Sequence, residues 1–295
     1  MQCSKCHRDA IIFQPYSGQH ICGLHVTADV EAKAKRVIRA HKWLRTGDHI
    51  GVALSGTRSS SALLYFLKTL TAQRRDIRIT AITIDEGPRS HSNPSRAKQI
   101  AESLGTDCLF GSLGEDAETG KEAIAQKTGN ASRGYNTFRS LLLDRIAREH
   151  GITKLALGFC LEDAASAVLE TVLSGDVELL INGTCSDSKI PRICPFIPVP
   201  SAEVAQYADL HGLGKDCPVY PDQGDKLHLD VITLLDTYTK NHPATKYALY
   251  NLGELLAGVH SGSEGLIRAI EWSGVYRHRI CRDDKINNEV TCGTQ

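Results

Sequence analysis

The sequence has no net charge, because 34 Lys and Arg residues balance 34 Asp and Glu. No global field therefore draws the chain to nucleic acid, and any such binding needs a local basic patch. There is no apolar run of the ~18 residues that a membrane helix requires. There is also no charged-then-apolar leader of the secretory kind. Neither a membrane partner nor a signal peptide is expected. No G-x-x-x-x-G-K-[ST] spacing occurs, which excludes a Walker-type phosphate loop.

What is present is the composition of a soluble globular protein, with 41% hydrophobic and 23% charged residues. A length of 295 residues suits one large domain with small appendages. Ten cysteines without a secretory signal point to a reducing, cytoplasmic compartment, with metal or catalytic roles for some of them.

Four of the metal-type ligands come at once: Cys3-x-x-Cys6, then fifteen residues, then Cys22-x-x-His25. Two close pairs of soft ligands on a short loop-rich segment suit a tetrahedral zinc ion. So short a segment cannot order itself by apolar burial, so the metal would supply the folding energy. His7 and His20 lie nearby, but the paired spacing favours Cys22 and His25. Four protein ligands close the site, which makes it structural. The alternative is a set of unrelated small core residues. Asp29 to Arg45 then reads as a helix carrying Lys33, Lys35, Arg36, Arg39, Lys42 and Arg45. A phosphate-facing surface and a solvated face both fit it, and the second is the usual meaning of such a run.

The stretch Val52-Ala53-Leu54-Ser55-Gly56-Thr57-Arg58-Ser59-Ser60 reads as a buried strand, a tight loop and the first turn of a helix. Such a junction gathers backbone N–H groups and the positive end of a helix dipole, which is where phosphate binds. An ordinary strand-to-helix turn is the plainer alternative. Downstream, Ile77–Ile84, Thr106–Phe110, Leu155–Gly158 and Ile193–Ile197 read as strands. Asn93–Leu104, Asn136–His150, Glu162–Leu173 and Ala202–Leu210 read as helices. On the Asn136–His150 helix, Phe138, Leu141, Leu142, Ile146 and Ala147 form the apolar side. The polar run Gly111–Arg133 reads mainly as a loop. Alternating strands and helices predict an α/β fold with a parallel five-stranded sheet and helices on both faces, followed by a helical C-terminal region.

Ser55-Gly56-x-x-x-Ser60 after a hydrophobic strand resembles the PP-loop of ATP pyrophosphatases, whose usual form is Ser-Gly-Gly-Lys-Asp-Ser. Thr57, Arg58 and Ser59 stand in place of the second Gly, the Lys and the Asp. Ala156-Leu157-Gly158-Phe159-Cys160-Leu161-Glu162-Asp163-Ala164-Ala165 resembles the Ala-Thr-Gly-His-Asn-Leu-Asp-Asp-Glu-Ala of PP-loop proteins that thiolate tRNA. The N-terminal Cys/His pairs, Ile84-Asp85-Glu86-Gly87, Arg192-Ile193-Cys194-Pro195, Asp216-Cys217-Pro218 and His242-Pro243-Ala244-Thr245-Lys246-Tyr247 extend the likeness in order over roughly residues 1 to 255. The chain is thus similar to the zinc-finger-bearing tRNA 2-thiouridine synthetase branch of the PP-loop ATPases.

That resemblance implies an adenine nucleotide alpha hydrolase-like fold in three parts: a knot at 1–28, a PP-loop domain at 29–215 and a C-terminal region at 216–295. It implies ATP with Mg2+ as substrate and Zn2+ in the knot. Nucleotide contacts would come from Ala53, Leu54, Ser55, Gly56, Thr57, Arg58, Ser59, Ser60, Ile84, Arg139, Gly158 and Asp163. Asp163, Cys217 and Cys160 are the catalytic candidates, with Cys194 a further sulfur-carrying candidate. For each cysteine the alternative is a small buried hydrophobe, and for Glu162 and Asp163 it is dipole-complementing acids. The implied partners are tRNA, a sulfur donor or sulfur-carrier protein, and a second copy of the chain.

The pattern breaks in two places. The family's Cys-x-x-Cys before the Asn136–His150 helix is Ser132 and Tyr135 here, which argues against an iron–sulfur cluster. Of a C-terminal four-cysteine finger only Cys281 and Cys292 remain, with Trp272 and Tyr276 before them. The leading function is ATP-dependent tRNA thiolation. The alternatives are a catalytically degenerate paralogue that binds tRNA or a thiolation partner, and a PP-loop ligase acting on another substrate.

Overall fold

The structure, a computed structural model, describes residues 1–85, 93–112, 131–182, 190–214, 226–258 and 264–272. A small antiparallel hairpin comes first, β1 (Ile12–Gln14) against β2 (Gln19–Ile21). Helix α1 (Gly23–His41) follows directly, with Val26, Val30, Ala34, Val37 and Ile38 buried at helical spacing. It starts earlier than the sequence reading placed it, because extended Cys22 ends the hairpin and hands the chain straight to the helix. Left-handed Lys42 closes it, with Arg39 and His41 in the last turn where the dipole favours cations.

The main sheet has five strands: β3 (His49–Ala53), β4 (Arg78–Asp85), β5 (Cys108–Ser112), β6 (Lys154–Ala156) and β7 (Arg192–Ile193). Their order is β5-β4-β3-β6-β7 and every pairing is parallel. The fold class read from the sequence is therefore the fold of the protein. Strand β7 is shorter than expected, since 195–198 turns away from the sheet.

The helices between strands are α2 (Arg58–Thr71), α3 (Pro94–Ser103), α4 (Ala131–Glu149), α5 (Leu161–Ser174) and the short α6 (Glu178–Asn182). After the sheet come α7 (Ser201–Leu210), α8 (Lys226–Tyr238), α9 (Thr245–Gly258) and α10 (Glu264–Trp272). Helix α7 packs against both α1 and α2, while α5 carries α8, α9 and α10. On α4 the buried side is Leu142, Leu143, Ile146 and Ala147, and Leu141 is exposed, not part of the apolar face expected of it.

The chain goes from β3 outward to β5, then returns to β6 on the other side of β3. The carboxyl ends of β3 and β6 thus flank the topological switch point, where open parallel sheets bind ligands. The amino-terminal ends of β3 and β6 are locked: the Lys154 ammonium donates to both Asp48 oxygens at 2.5 Å, and Asp48 also accepts the Arg45 N–H at 2.6 Å. Among the described residues no helix is long and apolar enough to cross a membrane.

Candidate nucleotide site and metal centre

The loop between β3 and α2 lies at the switch point. Ala53 is half-buried at the end of β3 and Leu54 is fully buried beyond it. Gly56 has φ +82°, a left-handed conformation, and a Cβ there would lie 2.9 Å from the Asn93 carbonyl oxygen. Only glycine meets both demands without strain. Thr57 (φ −82°, ψ 165°) is ordinary extended backbone, so the chain tolerates a side chain where the family's usual loop has glycine. It caps α2, its hydroxyl accepting the Ser60 N–H at 3.5 Å.

Three hydroxyls close on one another here: Ser55 to Thr57 at 3.1 Å, Ser55 to Ser60 at 3.2 Å and Thr57 to Ser60 at 3.1 Å. Their three protons are engaged with one another and with the Thr57 carbonyl, so they donate to an anion at this helix N-terminus only by turning outward. The loop is braced from α3. Asn93 N–H donates to the Ser55 carbonyl (3.0 Å), and Arg96 Nε donates to the Gly56 carbonyl (2.8 Å). Replacing Gly56 by Ala is expected to cost about 1–3 kcal/mol of stability and to displace the loop from any phosphate it holds. Paired thermal melts and calorimetric titrations check this, and an unchanged melt would refute the assigned backbone geometry.

The β6 side of the rim is built as tightly. A Cβ on Gly158 would lie 3.1 Å from the Ser60 nitrogen, so β6 presses its end onto the first turn of α2. Asp163 Oδ2 accepts the Cys160 N–H at 2.7 Å, the reciprocal half of an N-terminal cap. Glu162 is buried, accepting the Ser201 N–H (2.7 Å) and the Lys246 ammonium (3.1 Å). Ile84 is buried near the end of β4, beside exposed Asp85, and Arg139 is buried on α4. Arg58 and Ser59 open α2. Cys217, Cys281, Cys292, Glu86, Gly87 and the Gly111–Arg133 run beyond Ser112, up to residue 130, lie outside the described residues, as do the side chains of Ser132 and Tyr135.

Cys160 and Cys194 are both buried, at 3% and 0% exposure. Burial pushes the Cys160 thiol well above its ordinary range, and the Asp163 and Glu162 carboxylates push it further. Burial likewise raises Cys194, with Glu271 adding to it. Both are thiols, not thiolates, at neutral pH, and weak nucleophiles for that reason. Native protein is expected to leave these two unmodified by a water-soluble alkylating reagent at neutral pH and to expose them in urea. Peptide mapping reads the result, and rapid native labelling of either would overturn the buried assignment.

At the N-terminus, Cys3, Cys6, Cys22 and His25 bring one ligand atom each within 4.8 Å of one another. Cys6 Sγ lies 3.7 Å from Cys22 Sγ, and His25 Nδ1 lies 3.3 Å from both Cys3 and Cys22 sulfurs. Metal–sulfur bonds of ~2.3 Å in a tetrahedron give edges of this length. Desolvation raises Cys3, but the Lys5 and Cys22 backbone N–H groups and His25 outweigh it and draw the thiol down to about 6. The donor set is therefore of the kind that holds a metal.

A polar cluster not foreseen from the sequence ties this knot to the α/β body. Lys33 on α1 donates to Glu203 on α7 (2.8 Å) and to the hydroxyls of Tyr16 (2.7 Å) and Tyr247 (3.3 Å). Glu203 also accepts from Gln14 (3.0 Å) and Tyr16 (2.5 Å). Glu203 is buried and satisfied by three donors, so the net effect is specification of how knot, α1, α7 and α9 fit together. Lys33, the stretch from Glu203 to Tyr207 and the Lys246-Tyr247 motif each stand out in the sequence, but nothing there pairs them.

A strand-loop-helix phosphate cradle at the switch point of a five-stranded parallel sheet defines a nucleotide-binding α/β protein. A family model described as PP-loop domain matches residues 26–214. That is more than half of the chain, and the protein belongs to this family. Residues 2–25 match a second model, described as 2-thiouridine synthetase TtuA, N-terminal LIM domain. The tRNA 2-thiolation protein NcsA of Haloferax volcanii is 28% identical, over 89% of this chain and 90% of that one. The tRNA-5-methyluridine(54) 2-sulfurtransferase of Pyrococcus horikoshii is 26% identical, over 84% and 80%. Cytoplasmic tRNA 2-thiolation protein 1 of Aspergillus niger is 25% identical, over 95% and 86%. Among solved structures, the U34-tRNA thiolase NcsA from Methanococcus maripaludis with its [4Fe-4S] cluster superposes with a TM-score of 0.71 at 21% identity, covering 87% of each chain.

The last comparison corrects the cofactor expectation of zinc with no iron–sulfur cluster. The ground for excluding a cluster was the missing Cys-x-x-Cys at Ser132 and Tyr135, which the structure places within the first turns of α4, and a protein of this fold carries a cluster. The exclusion does not stand. Among the described residues, Cys3, Cys6 and Cys22 are the thiols that lie together, with His25 beside them.

Proposed function

We propose that the protein is an ATP-dependent tRNA 2-thiolation enzyme of the cytoplasm. The observation that carries this is the loop from Ser55 to Ser60, glycine-hinged and hydroxyl-lined at the switch point, in a chain whose full-length relatives are named tRNA 2-thiolation proteins.

In this reading a uridine C2 oxygen attacks the α-phosphorus of ATP and pyrophosphate leaves. A sulfur nucleophile then attacks C2, the C2–O bond breaks, and AMP departs with that oxygen. The N–H groups and hydroxyls of residues 55–60 take the phosphates and stabilise charge on the leaving pyrophosphate. Ala53, Leu54 and Ile84 wall the base side, Gly158 sets the distance between the two halves of the rim, and Arg139 supplies a cation. Asp163 holds the first turn of α5, where it positions Mg-ATP. The sulfur comes from a donor or carrier protein bearing a persulfide, whose outer sulfur the Cys217 thiolate attacks while the donor's own thiol leaves. Cys160 serves the same role less well, given its protonated, buried thiol. That same burial of Cys160 and Cys194 favours a second reading, a paralogue that binds tRNA or a thiolation partner without carrying sulfur.

The test is tRNA-dependent release of AMP and pyrophosphate from Mg-ATP, with 2-thiouridine measured in the tRNA by mass spectrometry. AMP with thiouridine supports the enzyme. Bound tRNA with neither product supports the paralogue, and AMP formed without tRNA points to a ligase on another substrate.

A further inference from the structure

The nucleotide loop is held from a direction that the resemblance does not anticipate. Arg58, which stands where the family's usual loop has lysine, donates through Nε to Asp209 Oδ1 at 3.1 Å. Asp209 is near the end of α7, remote in sequence from the loop. The Arg58 side chain is 16% exposed and Asp209 is 41% exposed, so the pair forms on the inner side of a surface carboxylate. The contact is built into the backbone. A Cβ on Gly214 would fall 1.4 Å from Asp209 Oδ1 and 3.2 Å from Arg58 Nε. Any other residue at 214 would displace the carboxylate or the arginine.

A second tie runs beside the first. Arg96 on α3 donates to the Gly56 carbonyl (2.8 Å) and, through Nη2, to the Leu213 carbonyl (2.7 Å). The chain leaving α7 is thus fastened to the loop at 209 and at 213. A lysine at 58 would place one point charge on a mobile stem. An arginine has a planar fork with two edges, and engaging Nε fixes the plane of the whole guanidinium.

We infer that Asp209 is the positioning residue of the nucleotide loop: it sets the direction of the Arg58 guanidinium for the phosphates of ATP, with Gly214 kept free of a side chain so that it can reach. This deepens the ATP-dependent reading and rests on it. Asp209 itself touches no phosphate. It lowers the number of orientations that Arg58 must give up when the nucleotide binds, which is pre-organisation.

The experiment is calorimetric titration of full-length wild type, Asp209→Ala, Asp209→Asn, Arg58→Ala and the Asp209→Ala/Arg58→Ala double variant with Mg-ATP and, separately, with adenosine. Heteronuclear spectra of the arginine Nε–H groups are recorded alongside. Asp209→Ala is expected to weaken Mg-ATP by about fivefold, the scale of a partly exposed ion pair. Asp209→Asn, which keeps an acceptor, recovers part of that loss. Adenosine affinity stays unchanged, and the double variant is no worse than Arg58→Ala, showing that the two residues act as one. The Arg58 Nε–H signal is protected from exchange in wild type and lost in Asp209→Ala.

Tighter binding of Mg-ATP by Asp209→Ala would overturn the inference, making Asp209 a competitor for Arg58. Equal binding by both proteins would overturn it too, leaving the pair a structural tie. A wild type that takes no Mg-ATP overturns the nucleotide reading and this inference together, and the Nε–H signal then still reports whether the contact exists.

Discussion

Cys22→Ser is expected to abolish metal binding by the N-terminal Cys/His set and to unfold the N-terminal knot while the α/β body stays folded. The hairpin before α1 consists of two strands of three residues each. So small a unit is marginal in water without a staple. Cys22 contributes the sulfur 3.7 Å from Cys6 and 3.3 Å from His25, so its loss opens the ligand set at its middle. Structural zinc sites contribute apparent binding free energies of roughly 10 kcal/mol or more to folding, far above what the knot gains from Gln14, Tyr16 and Lys33. Metal per chain is read by elemental analysis, with iron and acid-labile sulfide assayed beside zinc. Limited proteolysis reads the order of residues 1–22. Wild type is expected to hold one centre and resist cleavage there, and the variant or a chelated sample to lose both. The polar cluster extends the effect. With the hairpin loose, Glu203 loses Gln14 and Tyr16 as donors and keeps Lys33 alone. A variant that retains metal and protease resistance would sink the assignment.

Much of this architecture was legible from residue order, because local chemistry and the fold agree where the core is built. Val52 and Leu54 running into Ser-Gly announced β3 and its loop, and both are buried. The Cys/His spacing named the four residues that the structure brings within 4.8 Å. The helix read from Asn93 to Leu104 is α3, and Asn93 caps it. What escaped is non-local. Arg58 to Asp209 and Lys33 to Glu203 span 151 and 170 residues, and no periodicity encodes such pairs. The basic run on α1 shows the limit from the other side. Lys33 and Lys35 go to Glu203 and Glu31, whereas Arg36, Arg39, Lys42 and Arg45 remain exposed. One stretch of sequence thus holds both an internal clamp and a solvated face. The cofactor correction has a similar origin: the exclusion rested on one local motif, and one solved protein of this fold carries a cluster.

Arg192→Met is expected to cost about 3–5 kcal/mol, the usual result of removing one partner from a buried ion pair. Arg192 is 4% exposed on the edge strand β7. It donates to Asp144 on α4, to Glu271 on α10 (3.3 Å), to Ser140 on α4 (2.9 Å) and to the Ile190 carbonyl (2.8 Å). Burial alone would disfavour its charge, but Glu271 and Asp144 outweigh that and hold the guanidinium protonated. Methionine fills most of the volume, so the loss reports two stranded carboxylates more than a cavity. Adding Asp144→Asn and Glu271→Gln is expected to recover most of the stability, because neutral amides replace the unpaired charges. Arg192→Lys is not conservative here. One ammonium cannot reach Asp144, Glu271, Ser140 and a carbonyl from a single point, whereas the guanidinium fork serves all four. Denaturant melts give the stabilities, and Mg-ATP titration well below each melting temperature gives the functional consequence. Strand β7 pairs with β6, whose end presses Gly158 onto α2, so a loosened β7 transmits to the nucleotide rim. Affinity is expected to fall in Arg192→Met and return in the triple variant. If stability returns and affinity does not, Arg192 acts on the nucleotide by some route other than the packing of β7 and β6.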